Sequence, residues 1–147
     1  MRRLAPFLFV ALAACTPDVE GELRIGFRDT EPLHFAPSEC LSGEPLEFFG
    51  VDMFDDDDHM LRLVHFPADG PELLFFDPGQ ANETFRITPH DCRKFAGELR
   101  RTNDEYDGYM AMEGDLVLDC DASNGERVVG QVEFRRCGGD SHCPSDW

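Results

Sequence analysis

The sequence predicts an all-β fold, an antiparallel β-sandwich, with a small up-and-down β-barrel as the alternative. Three observations carry that prediction. Seven or eight runs have strand length, and several alternate apolar and polar side chains with a period of two. Turns rich in Gly, Pro and Asn separate them: PADGP, DPGQAN and the Asn124-Gly125 pair. At most one short helical turn is expected, over residues 89–92, where Thr88, Pro89 and Asp91 resemble a helix start.

In chain order, ELRIGFR places Leu23, Ile25 and Phe27 on one face and Arg24 and Arg28 on the other, as in a half-buried strand. Residues 29–45 are rich in Pro, Ser, Glu and Gly and read as one long loop carrying Cys40. LEFFGVDMF and LRLVHF then flank a cluster of aspartates: Asp52, Asp55, Asp56, Asp57 and Asp58. Opposing Phe54 to Leu61 aligns Val51 with Val64 and Phe49 with Phe66, which gives this hairpin one apolar face. ELLFF is apolar after Glu72, as expected of a strand covered on both sides. TFRIT is a further strand.

In TPHDCRKFAGELRRT a helical turn precedes a strand, because Gly97 would cost a helix interior about 1 kcal/mol. DLVLDC and RVVGQVEF form the last hairpin. A two-residue Asn-Gly loop would oppose Leu118 to Gln131. The expected register is therefore a three-residue loop that sets Leu118 against Val132 and Leu116 against Phe134. The triplet Gly-acidic-Leu recurs at 21–23, 97–99 and 114–116 and carries no meaning from sequence alone.

The N-terminus, MRRLAPFLFVALAAC, opens on Arg2 and Arg3 and continues with eleven mostly apolar residues. As a helix they would cross only about half of a ~30 Å hydrocarbon core, so the segment reads as a secretory signal peptide. Its end, Leu12-Ala13-Ala14-Cys15, resembles the lipobox of bacterial lipoproteins. The resemblance implies a lipidated Cys15 thiol, loss of residues 1–14, and a membrane held through acyl chains of the palmitate kind. Thr16 stands where an aspartate commonly retains such proteins at the inner membrane, which implies the outer membrane in a Gram-negative cell. The expected plan is a signal peptide over 1–14, a lipid anchor and tether over 15–21, one β domain over 22–137 and a flexible tail over 138–147.

Removing fourteen of the 147 residues leaves 133, enough for one domain with a core. The formal charge moves from −17 to −19 as Arg2 and Arg3 are lost. Such a surface repels nucleic acid and anionic headgroups, which excludes nucleic acid as a partner and leaves an envelope protein or a glycan. Thirteen phenylalanines against one tryptophan and two tyrosines point inward, to a core.

Besides Cys15 the chain holds Cys40, Cys92, Cys120, Cys137 and Cys143, and an exported chain forms disulfides. If 94–102 and 109–120 are a hairpin, Cys92 and Cys120 share one end of it. That makes them the expected pair, with Cys40 bridged to Cys137 or Cys143. One objection is parity: matching Phe95 and Leu99 to Leu116 and Leu118 puts Cys92 on the opposite face, unless a helical turn just before the strand resets it.

No G-x-S-x-G, H-E-x-x-H or P-loop motif occurs, so no catalytic residue can be named. The aspartates fail as an EF-hand: counting from Asp52 the sixth position is Asp57, and from Asp55 it is Met60, where that loop needs glycine. They read as a solvent-exposed turn that holds a divalent cation such as Ca2+ weakly, and no other cofactor is implied. The expected function is a non-catalytic, lipid-anchored envelope module. The alternatives are a hydrolase on the same sandwich and a weak cation-binding module using residues 52–58.

Overall fold

A computed structural model describes residues 18–106 and 108–138. Cys15 and the segment expected as a signal peptide, and Cys143 with the expected tail after Gly138, lie outside the described residues. The chain forms ten strands: β1 (Asp18–Gly26), β2 (Leu33–Phe35), β3 (Glu39–Ser42), β4 (Gly50–Phe54), β5 (Met60–Phe66), β6 (Gly70–Phe76), β7 (Phe85–Ile87), β8 (Cys92–Tyr106), β9 (Tyr109–Asp121) and β10 (Arg127–Cys137). Sheet A has the order β2-β1-β10-β9-β8 and sheet B the order β3-β4-β5-β6-β7, and each pairing is antiparallel. The fold is an all-β sandwich. Among the described residues, helix is confined to two 3-10 turns, Pro89–Asp91 and Glu44–Leu46.

Two boundaries differ from expectation. The segment 29–45 is not one loop: β2 and β3 lie within it and carry the chain from sheet A to sheet B. Each is too short for an alternating pattern to stand out among the prolines. Strand β1 also begins early. Asp18 to Gly21, expected as tether, pair with Arg135 to Val132 of β10.

The inner faces meet around Phe35, Phe75, Phe85 and Phe134, all fully buried; each contributes roughly 1.5–3 kcal/mol by leaving water. Phe75 stacks on Phe85 at 4.9 Å and receives Phe35 edge-on at 5.6 Å. Not every phenylalanine points inward, since Phe27 and Phe66 remain exposed. The ELLFF strand is likewise covered on one side only. Leu73 and Phe75 are buried, whereas Leu74 and Phe76 are half-buried on the outer face, with no described layer over them.

Both internal hairpins keep an apolar inner face, in registers other than those expected. In β4–β5, Phe54 pairs with Met60 rather than Leu61, so Val51 and Met53 face Leu63 and Leu61 inside. A three-residue loop, Asp56–Asp58, closes between Asp55 and His59 and moves the register by one. In β9–β10, Leu118 pairs with Gly130 and Leu116 with Val132, two places from the expected partners. The loop does have three residues, but they are Ser123, Asn124 and Gly125. This loop type needs a left-handed third residue, and Gly125 (φ +88) supplies it.

The disulfides join Cys92 to Cys120 and Cys40 to Cys137. Cys40–Cys137 staples β3 to β10 across the core. Cys92 and Cys120 face each other in the β8–β9 ladder, and the parity objection is met by a bulge: Cys92 pairs with Cys120, yet Lys94 pairs with Asp119, so Arg93 is the extra residue.

Two of the three Gly-acidic-Leu triplets prove to be paired with each other. Gly97 faces Leu116 and Leu99 faces Gly114, so two triplets lie antiparallel across β8 and β9. A Cβ at Gly97 would lie 2.1 Å from the Asp115 carbonyl oxygen, and one at Gly114 2.0 Å from that of Glu98. Neither position admits a side chain without spreading the strands.

Candidate functional site

The aspartate cluster divides. Asp52 belongs to β4, is buried, and receives two hydrogen bonds from Arg62, at 2.7 and 2.8 Å. Those bonds hold the Arg62 guanidinium above its ordinary pKa, against the opposing effect of burial. The Arg62 guanidinium lies 4.5 Å from the Phe48 ring centre, over its face. Asp52 is thus committed to sheet B and is not part of the tip.

Asp55 is the keystone of the tip. Expected in an exposed turn, it is only 8 % exposed. Its carboxylate accepts the backbone N–H groups of Asp57 (3.0 Å) and His59 (2.9 Å) and lies 2.9 Å from His59 Nδ1. Those bonds compensate the burial of the Asp55 carboxylate and close the loop upon it. The His59 ring stacks on Phe75 at 5.7 Å, so the aromatic column of the core runs out to the tip. Asp56 accepts a hydrogen bond from Ser38 Oγ at 2.7 Å, and Asp56, Asp57 and Asp58 are exposed.

Asp55, Asp57 and His59 bring ligand atoms within 4.8 Å of one another, a group that could hold a metal ion. Counting carboxylates alone misses His59; the signal for it was the alternation Asp55, Asp57, His59, which puts three donors at every second position. The tip stands at the Phe54 end of β4. The other end, through Ser42 and its hydrogen bond to Gly138, adjoins the Asp18 end of sheet A.

A second concave feature lies between the sheets, at the β8 edge. It is a cleft of about 320 Å³ whose walls include Leu63 and Pro71 from sheet B and Phe95, Leu99 and Leu116 from sheet A. His65, Glu98 and Asp115 also line it, and no side-chain hydrogen bond joins these three among the described residues.

At the β9–β10 end, charges are neutralised. Arg93 bonds Asp119 and Asp121, and Arg127 bonds Asp119. The hydrogen bond from Arg93, with Arg127 beside it, holds the Asp119 carboxyl below its usual range. Comparison with protein families, with curated proteins and with solved structures gave no match.

Proposed function

We propose that the chain is a lipid-anchored cell-envelope module that acts by binding, held in the membrane, the outer one in a Gram-negative cell, through acyl chains on Cys15. The observation that supports this most is the lipobox-like Leu12-Ala13-Ala14-Cys15 standing three residues ahead of a strand that starts at Asp18. Cys15 and Asp18 can be at most about 11 Å apart, so the domain would sit against the bilayer. Two disulfides suit the oxidising compartment that such a protein enters. A cleft that is largely apolar, with His65 bonded to neither carboxylate, favours binding over hydrolysis. Cys15→Ser should yield an unprocessed chain that no longer partitions into detergent with membrane lipoproteins. A wild-type chain that incorporates no fatty acid, or that begins elsewhere than Cys15, would refute the anchor.

A second reading concerns Asp55, Asp57 and His59, as a weak site for a divalent cation such as Ca2+. Asp55 already accepts two backbone N–H groups and faces His59 Nδ1, so an ion must compete for that carboxylate. The expected Kd is on the order of millimolar, as in loose extracellular sites. Calorimetry with calcium checks it, against a variant with Asp56, Asp57 and Asp58 changed to asparagine. Micromolar binding lost in the variant would make the tip the main functional site.

A further inference from the structure

We propose that the free edge of β8 is a peptide-binding site. There an extended segment of a partner protein joins sheet A as a sixth strand and seats one apolar side chain in the neighbouring cleft. This rests on the reading of the chain as a binding module and names its site and partner chemistry.

The sandwich has four terminal strands, and three are too short to template anything: β2 and β7 have three residues and β3 has four. Strand β8 has fifteen. Its register with β9 is unbroken from Lys94 to Arg101, between the bulge at Arg93 and the irregularity before Glu105. Outside that ladder, no backbone hydrogen bond joins Phe95–Arg101 to another described segment. A row of unpaired N–H and C=O groups at strand spacing is satisfied in series only by another extended backbone.

The cleft lies beside this row. Strand β7 pairs only with Leu73 to Phe75, so the start of β6 has no strand beyond it and the corner facing β8 stays open. At the centre is Gly97, kept bare because β9 approaches too closely for a Cβ. At about 320 Å³ the cleft is at the lower end of small-ligand sites, fitting one large apolar side chain.

Charge sets the flanks. Glu98 and Asp115, paired across β8 and β9, reach the rim of that cleft while their carboxylates project from the other face of sheet A. They end a row of carboxylates, Glu20, Glu133, Asp115 and Glu98, in register across four strands. Like charges placed opposite one another are unfavourable, and a cation relieves them. Arg100 meets Glu98 at 3.1 Å, but no ion pair reaches Asp115 among the described residues. A second copy of this acidic chain would add to the repulsion. The fitting occupant alternates Lys or Arg, on the side of Glu98 and Asp115, with an aromatic residue on the side of the cleft.

The probe is the capped heptapeptide Thr-Val-Lys-Phe-Lys-Val-Thr, titrated by fluorescence anisotropy against the full chain in detergent micelles. Replacing its Phe with Ala, or both Lys with Glu, should weaken binding at least tenfold. N-methylation of the amides on one edge of the peptide should weaken it at least tenfold, and on the other edge by less than twofold. Glu98→Lys, with an unchanged Tm, should weaken the Lys-flanked probe at least fivefold and leave a Ser-flanked one unaffected. Equal sensitivity to N-methylation on both edges, indifference to Glu98→Lys, or no binding by a chain with both disulfides and a normal Tm would overturn the proposal. Pull-down from the envelope fraction separates the two claims. A partner captured equally by wild type and Glu98→Lys sinks the β8 site and spares the module, whereas capture by neither sinks the module.

Discussion

The β4–β5 and β9–β10 hairpins turn on the same backbone. In each, the residue before a three-residue loop donates its N–H to the carbonyl of the residue after it: Asp55 to His59 at 3.2 Å, Ala122 to Glu126 at 2.7 Å. In each, the third loop residue is left-handed, Asp58 at φ +65 and Gly125 at φ +88. Their surroundings differ. Ser123 docks on β7, its N–H donating to the Arg86 carbonyl and its Oγ accepting from the Arg86 N–H. The carboxylates below that tip are met by Arg93 and Arg127, and the Cys92–Cys120 bridge fastens its base. The aspartate tip is held from within, by Asp55 and His59, while Asp56 to Asp58 face solvent. The fold uses Asp55 as the loop's internal acceptor, Asp56 as the partner of Ser38 and Asp58 as the left-handed residue, and among the described residues it gives the Asp57 carboxylate no hydrogen bond.

The comparison breaks most visibly at the bridge. Replacing Cys92 and Cys120 with alanine opens a loop with a sequence separation of 28 residues and should lower stability by about 3.5 kcal/mol in urea titrations. A loss below about 1 kcal/mol would mean that the ion pairs and Ser123 hold the docked tip unaided. Next comes the internal support. Asp55→Ala removes two backbone hydrogen bonds to a buried carboxylate and should cost about 2–3 kcal/mol. Asn124→Ala loses exposed bonds to Glu126 and should cost about 0.5 kcal/mol, and similar losses in the same assay would abolish the distinction. A smaller effect than that of Asp55→Ala comes from exchanging the left-handed residues. Gly125→Asp should cost about 1 kcal/mol and Asp58→Gly should gain up to about that much, read as opposite shifts in Tm.

The strands that alternate or pair through a turn were legible in the sequence, and so were the sandwich and the shared end of Cys92 and Cys120. The registers were not. Both hairpins keep apolar partners under a shift of one or two residues, and the deciding term is loop geometry at Asp58 and Gly125. Strands β2 and β3 escaped because three or four residues carry no period. The candidate site was half legible. The aspartates announce themselves, but the sequence cannot show that Asp52 is spent on Arg62, or that His59 is drawn to Asp55 by a stack on Phe75. The β8 cleft was invisible, since it arises from what β7 leaves uncovered.

The Cys40–Cys137 bridge has a mechanical consequence. A pull on the chain at Asp18 would peel β1 from β10 one residue pair at a time, starting at Arg135, because such loading unzips an antiparallel ladder rather than shearing it. The peeling can release only the 22 residues between Asp18 and Cys40, at most about 75 Å of slack, before tension passes through the covalent bridge into the end of β10. Tension then meets β3 and β10 together, joined at Cys40 and Cys137, so a domain tugged at Asp18 would lengthen its leash before the load reaches the rest of the fold.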